Sequence, residues 1–579
     1  MIICGLKLTH DGAVAVIEDG HLVFSVEMEK RDNNPRFTGI DETSVIADIL
    51  REHNYRLSDV DVFAVDGWGG TDQNELAIQP RLEVGPSVNR LDAHHNGVPF
   101  QLDVTHYEET SPTDNVLEAW NFEGLKIEGQ SLPYQSYLHV TGHIMGAYCT
   151  SPFAAAGESS YVLVWDGGMY PRLYYVNADT KQIDNLGPLF LLIGNIYTIF
   201  SQHFGPFKVK SGFAKDNLST AGKVMAYIAL GEVRREMFPI FEQIYATHYN
   251  APMGFANVFA NEFKRRIANY NFSDEDILSS FHVFMEELLV EKLAKKIARM
   301  KKPGRNLCMA GGCALNIKWN SAVRSSGAFD GVYVPPFPND SGSAVGVACA
   351  ALFNLTGQSA LSWNVYSGPM IVTNEGNADW KSVTCSVAEL GKLLAESNEP
   401  VVFLNDRAEL GPRALGNRSI VASPLSPAMK TVLNRAKKRE DYRPISPICL
   451  ESRAPDMFVP GTPDPYMLFD HLVKPEWLDR IPAICHLDQT ARLQTIKATD
   501  NPVVTALIEA FEIWSGVPVI CNTSANGNGT GFFPDVQSAT VWAADNGLRY
   551  VWCDETLHEY IGTKPMLSVT LLNQEVMAQ

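Results

Sequence analysis

Apolar and polar residues alternate from the first position. IICGLKLTHDGAVAVIEDGHLVFSVEMEK reads as three short strands, Ile2 to Leu6, Ala13 to Glu18 and Leu22 to Glu27. Turns at Thr9 to Gly12 and at Asp19-Gly20 join them as a meander. An amphipathic helix over about Asp41 to Glu52 and the strand VDVFAVDGW follow. From about 70 to 130 the chain is polar and irregular, and adjacent His94 and His95 diverge whether on helix or strand, so this stretch reads as a lid or acceptor-binding loop. SYLHVTGHIMGAYCTSPF reads as a helix with Ser136 as N-cap, small residues Gly142, Gly146 and Ala147 on one face, and a stop at Ser151-Pro152.

YVLVWDGG then PRLYYV repeats the opening hairpin with a second tight glycine turn, which points to a duplicated βββαβα plan with a phosphorylated ligand in the cleft between the halves. Asp274 to Met300 has long helical periodicity with a basic end. LCMAGGCALNIKWN and PFPNDSGSAVG each run from a strand through a turn into a helix. Composition shifts between Asn354 and Asp379, placing a boundary that divides the chain into 1–357 and 358–579. A second α/β unit begins with a helix near Ser386 to Ser397 and the strand PVVFLN.

At 579 residues two or more domains are expected. Hydrophobic residues at 45% and charged residues at 20% fit a globular protein, and no apolar run of about 18 residues or signal-like opening occurs, so the expectation is a cytoplasmic protein without a membrane partner. Ten cysteines without paired CxxC spacing suit a reducing compartment. A net charge of −19 argues against a nucleic-acid partner while leaving room for a local basic pocket. A homo-oligomer is compatible with all of this.

Candidate chemistry changes the picture more. His139 and His143 stand at i and i+4 of one helix, a spacing that lets both imidazoles reach one ion. Asp166 and Asp340, at strand ends, either complete a two-His, two-carboxylate site suited to Fe²⁺, Mn²⁺ or Zn²⁺ or simply cap turns. His10 and Asp11 sit in a turn able to face a phosphate or reacting group, or in an ordinary hairpin. Lys223 begins a helix as a phosphate contact or as a solvated side chain. Gly311 and Gly312 let backbone amides approach a nucleoside or phosphate, with Asn316 adding a side-chain hydrogen bond. Arg413, Arg418, Lys437, Arg439 and Arg443 concentrate positive charge as for a small polyanion. His486, Asp488, Thr490, Arg492 and Gln494 alternate as on one polar strand face. Asn522, Thr523, Ser524 and Asn526 end a strand before a glycine-rich loop, as a phosphate or carbamoyl cradle or a long polar turn.

GPRALGNRS, the KxREDYRP stretch, HLDQTARLQ and NTSAN, preceded by HDG, HxxxH, DGG, GGCALN and NDSGSAVG, resemble the carbamoyltransferases of the nodulation and antibiotic pathways. The resemblance spans nearly the whole chain. It implies an N-terminal actin-like ATPase-fold domain, similar to the tRNA threonylcarbamoyl-transfer enzyme, followed by a YrdC-like domain. It further implies that ATP, with Mg²⁺, and carbamoyl phosphate form carbamoyl adenylate in the second domain, and that the carbamoyl group passes to a small-molecule hydroxyl beside iron in the first. Carried over by motif, His139, His143, Asp166 and Asp340 would be metal ligands and His10 the general base. Gly311, Gly312 and Asn316 would hold the adenylate; Arg413, Lys437, Arg443 and Ser524 would hold carbamoyl phosphate; His486, Asp488, Thr490 and Arg492 would lie by the nucleotide. Lys223, Arg418 and Asn522 would add to nucleotide binding. Transfer to tRNA, or a non-catalytic actin-like nucleotide-binding regulator, are the rival readings; the charge disfavours the first and the metal-ligand and basic sets disfavour the second. EMEKRDNNPRF, NTSAN and HLDQT depart from the family's usual EER, NTSFN and HVDGT, which bears on acceptor identity.

Overall fold

Two sheets built on one plan make up the first half of the chain. The computed structural model describes all residues except 68–78, 82–89, 96–97, 104–114, 210–213, 215–216, 249–251, 375–377 and 573–579. Strands β1 (Ile2–Lys7), β2 (Ala13–Glu18) and β3 (His21–Glu27) form the expected meander, and β4 (Val62–Asp66) joins β1 in parallel. Short strands β5 (Gln79–Arg81), β6 (Arg90–His95) and β7 (Val98–Asp103) form a separate antiparallel sheet. The hairpin β8 (Trp120–Ile127) and β9 (Gln130–Tyr137) completes the order β3-β2-β1-β4-β9-β8.

The second sheet repeats this. β10 (Ser160–Val164), β11 (Arg172–Asn177) and β12 (Gln182–Pro188) form a meander, and β13 (Asn306–Ala310) and β14 (Gly331–Tyr333) extend it in parallel, in the order β12-β11-β10-β13-β14. The duplicated plan expected of an actin-like ATPase domain is therefore present.

The described residues between 70 and 130 are largely strand, where irregular chain was expected. They form β5, β6, β7 and β8; for the β8–β9 hairpin the overlooked cue is Glu128-Gly129, both at positive φ (49° and 78°), a two-residue turn whose twist matches flanking antiparallel strands. His94 and His95 fall in β6, and their side chains lie outside the described residues.

Between the sheets lie two helices, His139–Cys149 and Ser343–Thr356. All of the first and the first eleven residues of the second are buried, and the core there draws on both sheets. They approach closely because of glycine: a Cβ on Gly346 would stand 1.9 Å from the Gly142 carbonyl oxygen, and one on Gly146 would meet Gly346 Cα at 3.4 Å. Ser136 does not cap the first helix. It lies inside β9, its hydroxyl 3.4 Å from the Val65 carbonyl, and Leu138 occupies the N-cap position without a side-chain bond. The long helix Asp274–Arg299 is capped by the Ser273 hydroxyl, which accepts from the Asp276 amide at 3.0 Å.

The second half has its own core around an eight-stranded mixed sheet. Its strands are β15 (Trp380–Thr384), β16 (Val401–Leu404), β17 (Arg418–Ala422), β18 (Ser446–Leu450), β22 (Gln494–Ile496), β23 (Val519–Ser524), β24 (Tyr550–Cys553) and β25 (Thr556–Tyr560). A three-stranded sheet of β19 (Phe458–Val459), β20 (His471–Val473) and β21 (Thr490–Ala491) flanks it. The expected single strand from His486 to Gln494 is broken: Gln489 has a φ of 64°, and the His486 amide bonds the Thr490 carbonyl at 2.9 Å, so these residues form a tight turn.

The halves are knitted together. Lys30, buried in the first, donates to Glu27 Oε1 (2.7 Å) and to the carbonyls of Glu409 and Gly411 in the second (both 2.6 Å), while the Gly411 amide donates to Glu27 Oε1 at 2.7 Å. Among the described residues no helix is long and apolar enough to cross a membrane.

Candidate metal centre and cationic chamber

The metal candidates converge where the sheets meet. His139 begins its helix just after β9, Asp166 lies two residues beyond β10, and Asp340 opens the turn before helix Ser343–Thr356, in the segment that follows β14. One ligand atom from each of His139, His143, Asp166 and Asp340 lies within 4.8 Å of the others. His139 Nε2 is 3.1 Å from His143 Nε2 and 3.3 Å from Asp340 Oδ1; His143 Nε2 is 3.6 Å from the same oxygen. Two imidazole nitrogens and two carboxylates drawn together in a buried cleft, two ring nitrogens facing each other, fit a divalent ion of the kind bound by mixed nitrogen and oxygen donors.

Electrostatics agree with that fit. Burial would push the Asp340 carboxyl up, but His139 and Lys7 outweigh it and hold the group well below the usual carboxylate range. Burial, then His139, lowers the His143 imidazole, so it is neutral and able to ligate. Asp166 Oδ1 accepts from the Gly312 amide, so this backbone donor, expected to approach a nucleoside or phosphate, is engaged at the metal centre. Gly311 has a φ of 86°, and a Cβ there would lie 2.4 Å from the Trp165 carbonyl oxygen, so glycine is required for β13 to pass β10 this closely. The Asn316 side-chain oxygen is likewise taken: it caps helix Ile317–Ser325 from the Lys318 and Trp319 amides (3.2 and 3.3 Å).

His10 stands at the mouth of the centre. Its Nδ1 is 3.1 Å from Asp11 Oδ2 and 3.6 Å from Asp340 Oδ2, and its side chain is 47% exposed, so the ring is within reach of an incoming hydroxyl. Burial lowers its pKa, but Asp11 and Asp340 outweigh this and raise it.

Across the junction with the second half lies a cavity that both halves line: Gly222, Ala226 and Lys318 on one side, and Arg439, Arg443, His486, Thr490 and Arg492 on the other. Here Arg492 donates to the Ser446 hydroxyl (3.0 Å) and Arg439 to the Thr523 hydroxyl (2.8 Å). Among the described residues Arg413 reaches only the Leu315 carbonyl, at 3.4 Å, and its buried Nε finds no partner. Burial and the neighbouring arginines hold Arg439 down to about 9 and Arg492 to about 10, and hold Arg413 well below its ordinary value, with Arg492, Arg36 and Arg443 as the opposing charges. Glu440, 3.9 Å from Arg443, and Asp464 offset only part of this mutual repulsion, so the cluster has the chemistry to accept an anion. Asp488 instead faces Lys318 (2.7 Å) and the Thr490 hydroxyl (2.7 Å), its carboxyl lowered to about 2, by Lys318 above all, against the effect of burial. His486 Nε2 is 3.1 Å from the Ala226 carbonyl across the halves. Lys223, 38% exposed, pairs with Glu440 at 3.4 Å.

Four residues expected to contact a ligand make their hydrogen bonds within the protein instead. Arg418 is buried in β17 and donates to four carbonyls, those of Asn405, Asn417, Pro369 and Asp406 (2.7–3.1 Å), leaving no donor fork for a phosphate. The Lys437 ammonium spends its three protons on the Ser524 carbonyl (2.7 Å) and on the carbonyl and side-chain oxygens of Asn526 (2.5 and 2.6 Å), so it holds the glycine-rich loop. Asn522 is buried and donates to the Ala414 carbonyl (3.1 Å) and Gln494 Oε1 (2.9 Å). Ser524 donates to Asn526 Oδ1 at 2.6 Å within the same loop.

Sequence reasoning missed Lys7, Asp66, Arg36 and Lys318. Lys7 and Asp66 each close an otherwise apolar strand, a signal that was available. Arg36 belongs to EMEKRDNNPRF, and only folding brings it to Arg413 and Arg443.

The comparisons with known proteins bear on the whole chain. Family models for the carbamoyltransferase N-terminus and C-terminus match residues 2–349 and 392–559. Nodulation protein U of Rhizobium tropici is 48% identical over 574 residues, covering 96% of each chain. The 3'-hydroxymethylcephem-O-carbamoyltransferase of Streptomyces clavuligerus is 33% identical over 542 residues, covering 92% of this chain and 94% of its own. Among solved structures, the activator of the 2-hydroxyisocaproyl-CoA dehydratase from Clostridium difficile with bound ADPNP is similar at 13% identity and a TM-score of 0.33, over 62% of this chain and 97% of that one. With both family models in sequence order and a relative nearly half identical over 96% of its length, the chain belongs to the carbamoyltransferase family.

Proposed function

We propose that the protein is an ATP-dependent O-carbamoyltransferase in a chain divided at 357/358, with a metal centre in the first part and a cationic chamber where the arginines of the second part meet the first. The observation that carries this is the chamber of Arg413, Arg439, Arg443 and Arg492, whose mutual repulsion is relieved by a polyanion such as ATP and carbamoyl phosphate supply. The eight-stranded mixed sheet beneath it supports a YrdC-like reading of the second half. Atom balance requires water: carbamoyl phosphate, ATP and water give carbamoyl adenylate, pyrophosphate and phosphate. Mg²⁺ accompanies the ATP.

The activated carbamoyl group then meets an alcohol in the first half. His139, His143, Asp166 and Asp340 would hold the divalent ion, iron being the favoured member of the Fe²⁺, Mn²⁺ and Zn²⁺ class, and the ion supplies Lewis acidity toward the carbonyl. His10, with Nδ1 engaged by Asp11 and half its side chain exposed, would take the hydroxyl proton at Nε2 as the oxygen attacks the carbamoyl carbon and AMP leaves. A relative named for carbamoylating a hydroxymethylcephem supports a small-molecule hydroxyl as acceptor.

The test is an acceptor screen by mass spectrometry with protein, metal, ATP and carbamoyl phosphate against sugars, nucleosides and other small alcohols. A gain of one carbamoyl unit that disappears when ATP is withheld supports the reading. A gain independent of ATP, or pyrophosphate release that never accompanies any gain across the screen, contradicts it.

A further inference from the structure

We propose that Lys7 and Asp66 are positioning residues that preform the metal centre: Asp66 selects the tautomer of His139, and Lys7 aims the carboxylate of Asp340. The inference rests on the metal-centre reading above. Lys7 and Asp66 are the last residues of β1 and β4, a parallel pair in which Leu6 stands opposite Val65, so the two side chains emerge together at the carboxyl end of the sheet. Both are buried, with 1% and 0% of their side chains exposed.

Asp66 Oδ2 lies 2.9 Å from Lys7 Nζ and 2.9 Å from His139 Nδ1. A carboxylate there makes Nδ1 the protonated nitrogen and leaves the lone pair on Nε2, the atom that faces His143 and Asp340. Lys7 Nζ is also 2.9 Å from Asp340 Oδ2, and it is the other oxygen, Oδ1, that faces the two imidazoles. One ammonium thus clamps the outer oxygen of a ligand and the partner of a second ligand.

Charge explains why both residues are needed. Asp166 and Asp340 balance a divalent ion, so a third buried carboxylate alone would leave the cluster one charge in excess. Lys7 restores neutrality, and Asp66 lies beside it so that a buried ammonium is tolerated near a cation site. The backbone makes room for this arrangement: a Cβ on Gly142, between the two histidines, would stand 3.0 Å from Asp66 Oδ1. If the pair served only to knit β1 to β4, metal affinity would be indifferent to its removal.

The experiment measures Mn²⁺ binding by equilibrium dialysis and the visible spectrum of the Co²⁺ form for the full chain. The variants are Asp66→Asn, the charge-neutral double replacement Lys7→Met with Asp66→Asn, and His139→Ala as a control. The double variant avoids stranding a buried charge and keeps the test valid where the single one folds poorly. We expect wild type to bind one ion, His139→Ala to lose it, and both Asp66 variants to bind on the order of 10- to 100-fold more weakly with an altered Co²⁺ spectrum, at an unchanged melting temperature of the metal-free double variant. Wild-type affinity and spectrum in the folded double variant would overturn the positioning role alone. Failure of the wild type itself to bind Mn²⁺ or Co²⁺ would overturn the metal centre.

Discussion

Replacing Arg492 by Met asks whether the chamber's cations serve a guest or the fold. Burial and Arg443 hold this guanidinium down from 12.5 to about 10, so the folded state disfavours its charge. The sign follows: a depressed cation costs stability at every pH below about 10, and the cost fades only as pH rises through that value toward 12.5. At about 1.4 kcal/mol per unit the penalty at pH 8 is roughly 3 kcal/mol at most. Methionine keeps much of the stem's packing but loses the bond from Nε to the Ser446 hydroxyl, worth about 1 kcal/mol. The variant should therefore be more stable than wild type by about 1–2 kcal/mol in buffer free of phosphate and sulfate. Pyrophosphate should reverse the order, because ligand held at 100 times its Kd stabilises wild type by about 2.7 kcal/mol and the variant by less. Urea midpoints with and without pyrophosphate give both numbers. A variant less stable than wild type without anions, with an unchanged pyrophosphate increment, would refute the reasoning.

Arg418→Met should behave in the opposite way, losing about 3 kcal/mol or more because four carbonyls lose their donor, while the pyrophosphate increment stays as in wild type; the same urea series reads both. Glu286, raised by burial to about 7, favours its protonated form in the fold, so its cost appears as pH climbs from 4.5 to 7 and is complete above. Glu286→Gln should accordingly stabilise by up to roughly 3 kcal/mol at pH 8 and by little at pH 4.5, in melts run at the two values. Gly346→Ala places a Cβ 1.9 Å from the Gly142 carbonyl and should cost about 1–3 kcal/mol while weakening Mn²⁺ binding, since the helix that carries both histidines must move; unchanged metal affinity would count against rigid support of the centre by that helix pair.

Much of the fold was legible because local rules suffice for it. The opening meander, the second glycine turn and the Asp274–Arg299 helix follow from alternation, turn residues and capping, each set by near neighbours. The four metal candidates were legible for a related reason: an i, i+4 pair and carboxylates at strand ends are local signatures of a site that the topology then closes. The charged residues of the second half were harder. Arg418 and Arg492 look alike in a sequence, yet one is saturated by carbonyls of loops that only the folded chain brings near, and the other is left facing its own kind. Lys437 and Asn522 show the same thing: residues suited to a ligand are equally suited to hold the loop that frames it. The run from His486 to Gln494 deceived through period, since alternating polar residues imply a strand only where no residue takes a positive φ, and Gln489 does.

In the proposed reaction activation and transfer belong to separate constellations, the arginines of the chamber and the imidazole-carboxylate centre. Pyrophosphate release from ATP and carbamoyl phosphate, measured side by side in wild type, His139→Ala and Arg443→Ala, separates the two roles. Release at near wild-type rate in His139→Ala and its loss in Arg443→Ala is the predicted result. Loss of release in folded His139→Ala would contradict the division between the two.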